Sequence, residues 1–260
     1  MIPKKIHYFW FSNDPLPKKL SLCIDSWTEV LNDYEIIKWD LSNSPLEHPF
    51  AQKALKEKKW AFLTDYCRFK VLHEHGGIYI DSDVYIMQSL NGILGYDSFW
   101  SSTDFKKVDP FIFGTIRNNS VVAECIAFYD KLALDFDEYP VVPDVIGDIF
   151  RAKGYLGDNL EEFHFENNVI FPFEVFCPMP YNSSDDNDFQ SYATSKTLAI
   201  HLWNTAWNDP FRFFYQNRRK SGWRAVRKTI RKNPFQPWSF YKNVLYHLKS
   251  GILGYPKLNK

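Results

Sequence analysis

Gly76-Gly77-Ile78-Tyr79-Ile80-Asp81-Ser82-Asp83-Val84-Tyr85-Ile86 is the stretch on which the fold turns. The two glycines stop a helical pattern, because glycine adopts the left-handed conformation wanted at a helix C-terminus without steric cost. The β-branched and aromatic run from Ile78 to Met87 then predicts a strand. Side chains two apart share a strand face. Tyr79, Asp81, Asp83 and Tyr85 therefore point one way, while Ile78, Ile80, Val84 and Ile86 point largely into a core. Two carboxylates on one face repel each other and are costly to take out of water. A hard divalent cation, Mn2+ or Mg2+, removes both costs and can also bridge a diphosphate. A bare Asp-x-Asp pair is most often a solvated turn, but the aliphatic flanks and the preceding glycines favour a ligand site here.

Just upstream, Ala61 to His75 has a helical pattern that contains Thr64-Asp65-Tyr66-Cys67-Arg68. Asp65 and Arg68 are three apart and face the same side. Phe62, Tyr66 and Phe69 flank them, so the pair is expected to be buried rather than on the surface. A buried pair needs further hydrogen-bond partners, and sugar hydroxyls, which donate and accept, suit both residues. Farther out, Ile6–Phe11 and Tyr34–Trp39 predict strands, with an amphipathic helix over Lys18–Leu31 between them. Downstream, strands are expected at Phe111–Ile116, Asn168–Phe173 and Thr197–Trp203. Helices are expected at Val121–Leu134, capped by Asn119 or Ser120, and at Val145–Lys153. Asn182 to Asp188 has the composition of a polar, flexible loop. The alternation predicts an α/β domain with a largely parallel sheet.

The 260 residues are 45% hydrophobic and 18% aromatic, which excludes a disordered chain. No apolar run is long enough to span a bilayer. The start lacks a small-residue cleavage site, so a secretory signal is not expected. Cys23, Cys67, Cys125 and Cys177 are scattered, the pattern of buried thiols in a reducing compartment rather than a zinc site or disulfide framework. The net charge of zero hides an asymmetry. Residues 210–260 contain 13 Lys and Arg and no acidic residue, whereas residues 1–209 hold 18 basic against 31 acidic residues. A basic tail with interspersed aromatics suits an anionic membrane surface, the alternative being a helical subdomain that packs on the catalytic domain or attaches a partner. Nucleic acid is disfavoured as its partner, because no nucleic-acid motif accompanies the charge.

Ala61-Phe-Leu-Thr-Asp-Tyr-Cys-Arg68, Leu72 and Gly76-Gly-Ile-Tyr-Ile-Asp-Ser-Asp83 together resemble the glycosyltransferases with a DXD sugar-binding region. That group includes yeast initiating α-1,6-mannosyltransferase and bacterial capsular and lipopolysaccharide transferases, and the clostridial glucosylating toxins have a similar catalytic core. Ile2-Pro-Lys-Lys-Ile-His-Tyr-Phe-Trp-Phe, Ser26-Trp27 and Tyr34-Glu-Ile-Ile-Lys-Trp39 fit the same pattern, which is close over residues 1–95 and loose beyond.

The resemblance implies a GT-A-type, Rossmann-like catalytic domain over 1–209 and a basic helical extension over 210–260. It implies metal-dependent, retaining transfer of a hexose or N-acetylhexosamine, with a UDP-sugar favoured over GDP-mannose. The implied acceptor is a polysaccharide or lipid-linked oligosaccharide. By the same likeness, Asp83 ligates Mn2+ (or Mg2+), with His201 as a second ligand and Asp81 acting through water. Asp81 also contacts the donor's ribose and sugar. Asp65 and Arg68 grip the sugar hydroxyls, Thr64 and Tyr79 line the pocket, and Trp10 stacks on the base. The absence of an N-terminal anchor departs from the Golgi members. It leads to the expectation of a cytoplasmic bacterial enzyme, peripheral on the inner face of the plasma membrane. The competing expectation is a non-catalytic carbohydrate-binding protein, whose aromatics would form an exposed platform.

Overall fold

The computed structural model describes residues 1–12, 14–103, 106–132, 139–157, 160–181, 188–203 and 241–242. The polar loop expected over Asn182–Asp188 and the basic tail thus lie almost entirely outside the described residues. Every element named below belongs to Met1–Asn204, one compact unit. Among the described residues no helix is long and apolar enough to cross a membrane.

Strand β1 (Lys5–Phe9) leads through helix α1 (Lys18–Val30) to β2 (Glu35–Trp39), which pairs parallel to β1. Helices α2 (Pro49–Lys56) and α3 (Trp60–His75) follow, and β3 (Gly77–Ile80) returns parallel to β1 on its other side. After β4 (Val84–Ile86), strands β5 (Ser98–Ser102) and β6 (Val108–Thr115) extend the sheet. Helices α4 (Ser120–Lys131) and α5 (Val142–Ala152) precede β7 (Phe163–Phe165) and β8 (Asn168–Ile170). A short α6 (Phe173–Phe176) and β9 (Ala199–His201) complete the unit. The seven-stranded sheet has the order β2-β1-β3-β6-β5-β8-β7, and only β6 and β7 run against the rest. This is the mixed, largely parallel sheet flanked by helices that the sequence predicts.

Both sheet faces are covered. One carries α2 to α5 around Phe50, Phe69, Trp100, Phe113 and Phe150. The other carries α1, β4 and α6 around Trp27, Ile78, Ile80, Phe99 and Phe176. Phe50 and Phe69 are fully buried, and each such side chain contributes about 1.5–3 kcal/mol. All four cysteines are buried, as expected.

The strand expected over Ile78–Met87 is two strands in different sheets. β3 ends at Ile80, a turn closed by Val84 N donating to Asp81 O (3.0 Å) intervenes, and β4 pairs with β9 instead. Alternation could not show the break, because Val84 and Ile86 resume the same burial phase after the turn. Asp81 and Asp83 therefore flank a turn rather than share a strand face. Helix α1 holds β4 in place: Trp27 Nε1 donates to Val84 O (2.7 Å), and Ile86 N donates to Ser26 Oγ (2.9 Å).

At the other end of β3, Gly76 and Gly77 have φ of 61° and 105°. A Cβ on Gly77 would lie 2.8 Å from Lys5 O and 2.9 Å from His7 Nε2. Burial lowers the His7 pKa to about 4, so the ring is neutral. Its partners fix the tautomer: Nε2 donates to Gly76 O (3.1 Å), and Nδ1 accepts from Trp39 Nε1 (3.1 Å).

Candidate functional site

The site lies where the β3–β4 turn meets β6, β9 and α3. Asp81 N donates to Phe111 O (2.7 Å), which ties the start of the turn to β6. Leu202 N donates to Asp83 O (2.9 Å), and β9 aligns His201 opposite Val84. His201 Nε2 then stands 3.3 Å from Asp83 Oδ1. Ligand atoms of Asp81, Asp83 and His201 all lie within 4.8 Å of one another.

From α3, Arg68 reaches in with only 6% of its surface exposed. Its Nη2 donates to Asp65 Oδ1 (2.6 Å), and its Nη1 donates to Pro110 O (2.9 Å) and lies 3.7 Å from Asp81 Oδ1. The guanidinium carbon is 4.6 Å from the Tyr79 ring centroid, a cation–π distance. Tyr79 Oη donates to Asp81 Oδ1, so Asp81 is held by both Tyr79 and Arg68.

Too much negative charge is gathered here. Burial pushes Asp65 up to about 7 despite Arg68, with Asp81 and Asp109 adding to the rise. Burial likewise raises Asp81, against Arg68 and with Asp83 reinforcing the shift. Asp109 is pushed up to about 6 by burial, although His201 pulls the other way. For His201, burial alone would lower the pKa, but the charge and hydrogen bond of Asp83, helped by Asp81 and Asp109, outweigh it and raise it. Carboxylates lifted this way are the signature of like charges sharing a desolvated site.

A divalent cation fits the donors present. Two carboxylates and an imidazole make a suitable set for Mn2+. Adjacent donors about 2.1 Å from one octahedral ion stand about 3 Å apart, close to the 3.3 Å between His201 and Asp83.

Of the residues singled out in the sequence, Asp65, Arg68, Tyr79, Asp81, Asp83 and His201 come together. Trp10 is half-buried against the second core cluster, and its Nε1 donates to Asp14 O (3.0 Å). Thr64 Oγ1 donates to Trp60 O (3.0 Å), within its own helix. The sequence reading misses Asp109-Pro110-Phe111 on β6. Pro110 O anchors Arg68, Phe111 O anchors Asp81, and the Phe111 ring stacks on His201 at 4.5 Å. The carboxylate of Asp109 has no hydrogen bond or ion pair among the described residues, yet it is electrostatically coupled to the whole group. Its only sequence signal is an acidic residue at the head of an apolar strand.

Residues 17–100 match the family described as a glycosyltransferase sugar-binding region containing a DXD motif. An uncharacterized glycosyltransferase of Acanthamoeba polyphaga mimivirus is 28% identical over 116 residues, which are 42% of this chain and 46% of that protein. Inositol phosphoceramide mannosyltransferase 3 of Schizosaccharomyces pombe is 27% identical over 139 residues, 45% of this chain and 37% of that one. The chain thus spans less than half the length of these curated relatives. Among solved structures, the PaToxG glycosyltransferase is similar with a TM-score of 0.47 and 16% identity, over 61% of this chain and 75% of that one. The family match covers both Asp65–Arg68 and Asp81–Asp83; His201 lies beyond it.

Proposed function

We propose that the chain is a metal-dependent glycosyltransferase that moves a hexose or N-acetylhexosamine from a nucleotide sugar, a UDP-sugar in preference to GDP-mannose, with retention of configuration. The observation that carries this is a half-buried carboxylate surplus at Asp81, Asp83 and Asp109, beside the paired Asp65 and Arg68. Mn2+ or Mg2+ held by Asp83 and His201, with Asp81 through water, supplies charge that stabilises the departing nucleoside diphosphate. Arg68, buried and kept in place by Asp65 and Pro110 O, adds a second fixed positive charge. Asp65 keeps lone pairs that can accept hydrogen bonds from sugar hydroxyls. Tyr79 and Thr64 line the donor pocket, and Trp10 stacks on the base. No residue is assigned as nucleophile.

The acceptor is a polysaccharide or lipid-linked oligosaccharide, and the basic segment 210–260 docks on an anionic membrane beside it. Binding of the full chain to anionic liposomes should weaken with salt; salt-independent binding would count against this docking.

A panel of UDP- and GDP-sugars, assayed for transfer and donor hydrolysis with Mn2+ and then with EDTA, tests the main reading. Turnover that requires Mn2+ supports it. Absence of turnover on every donor, together with glycan binding indifferent to EDTA, replaces it with a carbohydrate-binding role.

A further inference from the structure

A metal-ligating histidine is ordinarily aimed by a hydrogen bond from its second ring nitrogen to a carboxylate, a carbonyl or water. His201 has no protein group in that role: its Nδ1 is buried and without a partner among the described residues. What grips the ring is aromatic. Phe111 stacks on it with centroids 4.5 Å apart and planes at 11°. Trp203 lies against it at 4.3 Å and 39°.

Trp203 is itself tightly held. Its Nε1 donates to Met179 O (2.8 Å), and Tyr181 meets it edge-on at 5.0 Å. Its backbone φ is 51°, the left-handed region, which a bulky side chain seldom occupies. Such a conformation persists only where the surroundings over-determine it, and it is concentrated at functional sites. Phe111 is anchored as firmly, because its carbonyl accepts from Asp81 N.

We propose that Trp203 is a positioning residue whose indole, held by Met179 and pressed on His201, fixes the imidazole plane so that Nε2 stays beside Asp83 to bind a divalent cation. Ring stacking thereby replaces the usual aiming hydrogen bond. The proposal rests on the reading of His201 as a metal ligand.

The test is Mn2+ binding to the full chain, followed by electron paramagnetic resonance of free Mn2+, alongside melting of the metal-free protein. Trp203→Phe and Trp203→Leu both lose the bond to Met179 and both keep a side chain at the left-handed position, so their stabilities should be alike. Phe retains a stacking ring and should bind Mn2+ close to wild type. Leu should bind about 10- to 100-fold more weakly, the usual cost of losing a partner that orients a ligand. Equal affinity in the two variants, or affinity that merely tracks melting temperature, overturns the proposal. His201→Ala separates the two readings. If it binds Mn2+ as wild type does, the ligand assignment fails and the proposal with it. If it loses Mn2+ while Trp203→Leu does not, the positioning role alone is wrong.

Discussion

Asp65 with Arg68, and Asp81 with Asp83 and His201, both place charge out of water within one site, and they are stabilised differently. The first pair is compensated from within. Asp65 takes a 2.6 Å bond from Arg68, whose other nitrogen is tied to Pro110 O. The second group is compensated less completely: Arg68 and Tyr79 hold Asp81 and His201 faces Asp83, but Asp109 adds a further negative charge and His201 Nδ1 lacks a partner among the described residues. The first arrangement can stand without a ligand. On the proposed reading, a cation would complete the second. Breaking each should therefore give unequal results in the metal-free protein.

The largest effect is expected from Asp83→Ala. Mn2+-dependent donor turnover should fall about a thousandfold, the upper range for one lost electrostatic stabiliser. Urea denaturation of the metal-free variant should show only a small loss of stability, because the lost contact with His201 is offset by relief of repulsion among the carboxylates. Arg68→Ala should weigh far more on the fold: it leaves Asp65 buried and unpaired, and should cost about 3–5 kcal/mol in the same denaturation. Equal destabilisation by the two substitutions would erase the distinction.

A smaller effect separates the two regions by pH. Asp65 and Asp109 titrate near 7 and 6 in the folded chain, above the ordinary carboxylate range. Folding is then favoured where both are protonated, and stability is lost as pH rises from about 4, the unfolded value, to about 7. Melting temperatures of the metal-free protein should decline over that window, and added Mn2+ should raise them more at pH 8 than at pH 5. The smallest change is expected from Asp109→Asn. It should flatten part of that slope and reduce kcat/KM for the donor about tenfold, as a negative charge beside His201 and the other carboxylates is removed.

Legibility in the sequence follows how local the signal is. The helix bearing Asp65 and Arg68 is plain because Leu63, Tyr66, Cys67 and Val71 follow helical spacing and Gly76 ends it. Asp81 and Asp83 are recognisable as a ligand pair, but their turn is hidden because the aliphatic phase resumes at Val84. Strand β5 escapes notice because Ser98, Ser101 and Ser102 are polar. Their burial depends on distant partners, Asn168 Oδ1, Ile112 O and Phe171 O, that no local pattern discloses. Asp109 is missed for a similar reason, since Asp-Pro reads as a turn and its importance comes from the sheet register that brings β6 beside β3. His201, by contrast, is found through the family resemblance, with the support that an imidazole at the end of an apolar strand suits Mn2+.

The central claim is that Asp81, Asp83 and His201 hold a cation that receives a nucleoside diphosphate. Calorimetric titration of UDP and of GDP into the full chain, with Mn2+ and then with EDTA, tests it most directly. The account predicts that one of the two binds with Mn2+, and that this binding disappears with EDTA and in Asp83→Ala. Binding of equal strength in EDTA, or none of either nucleotide with Mn2+ present, would contradict it.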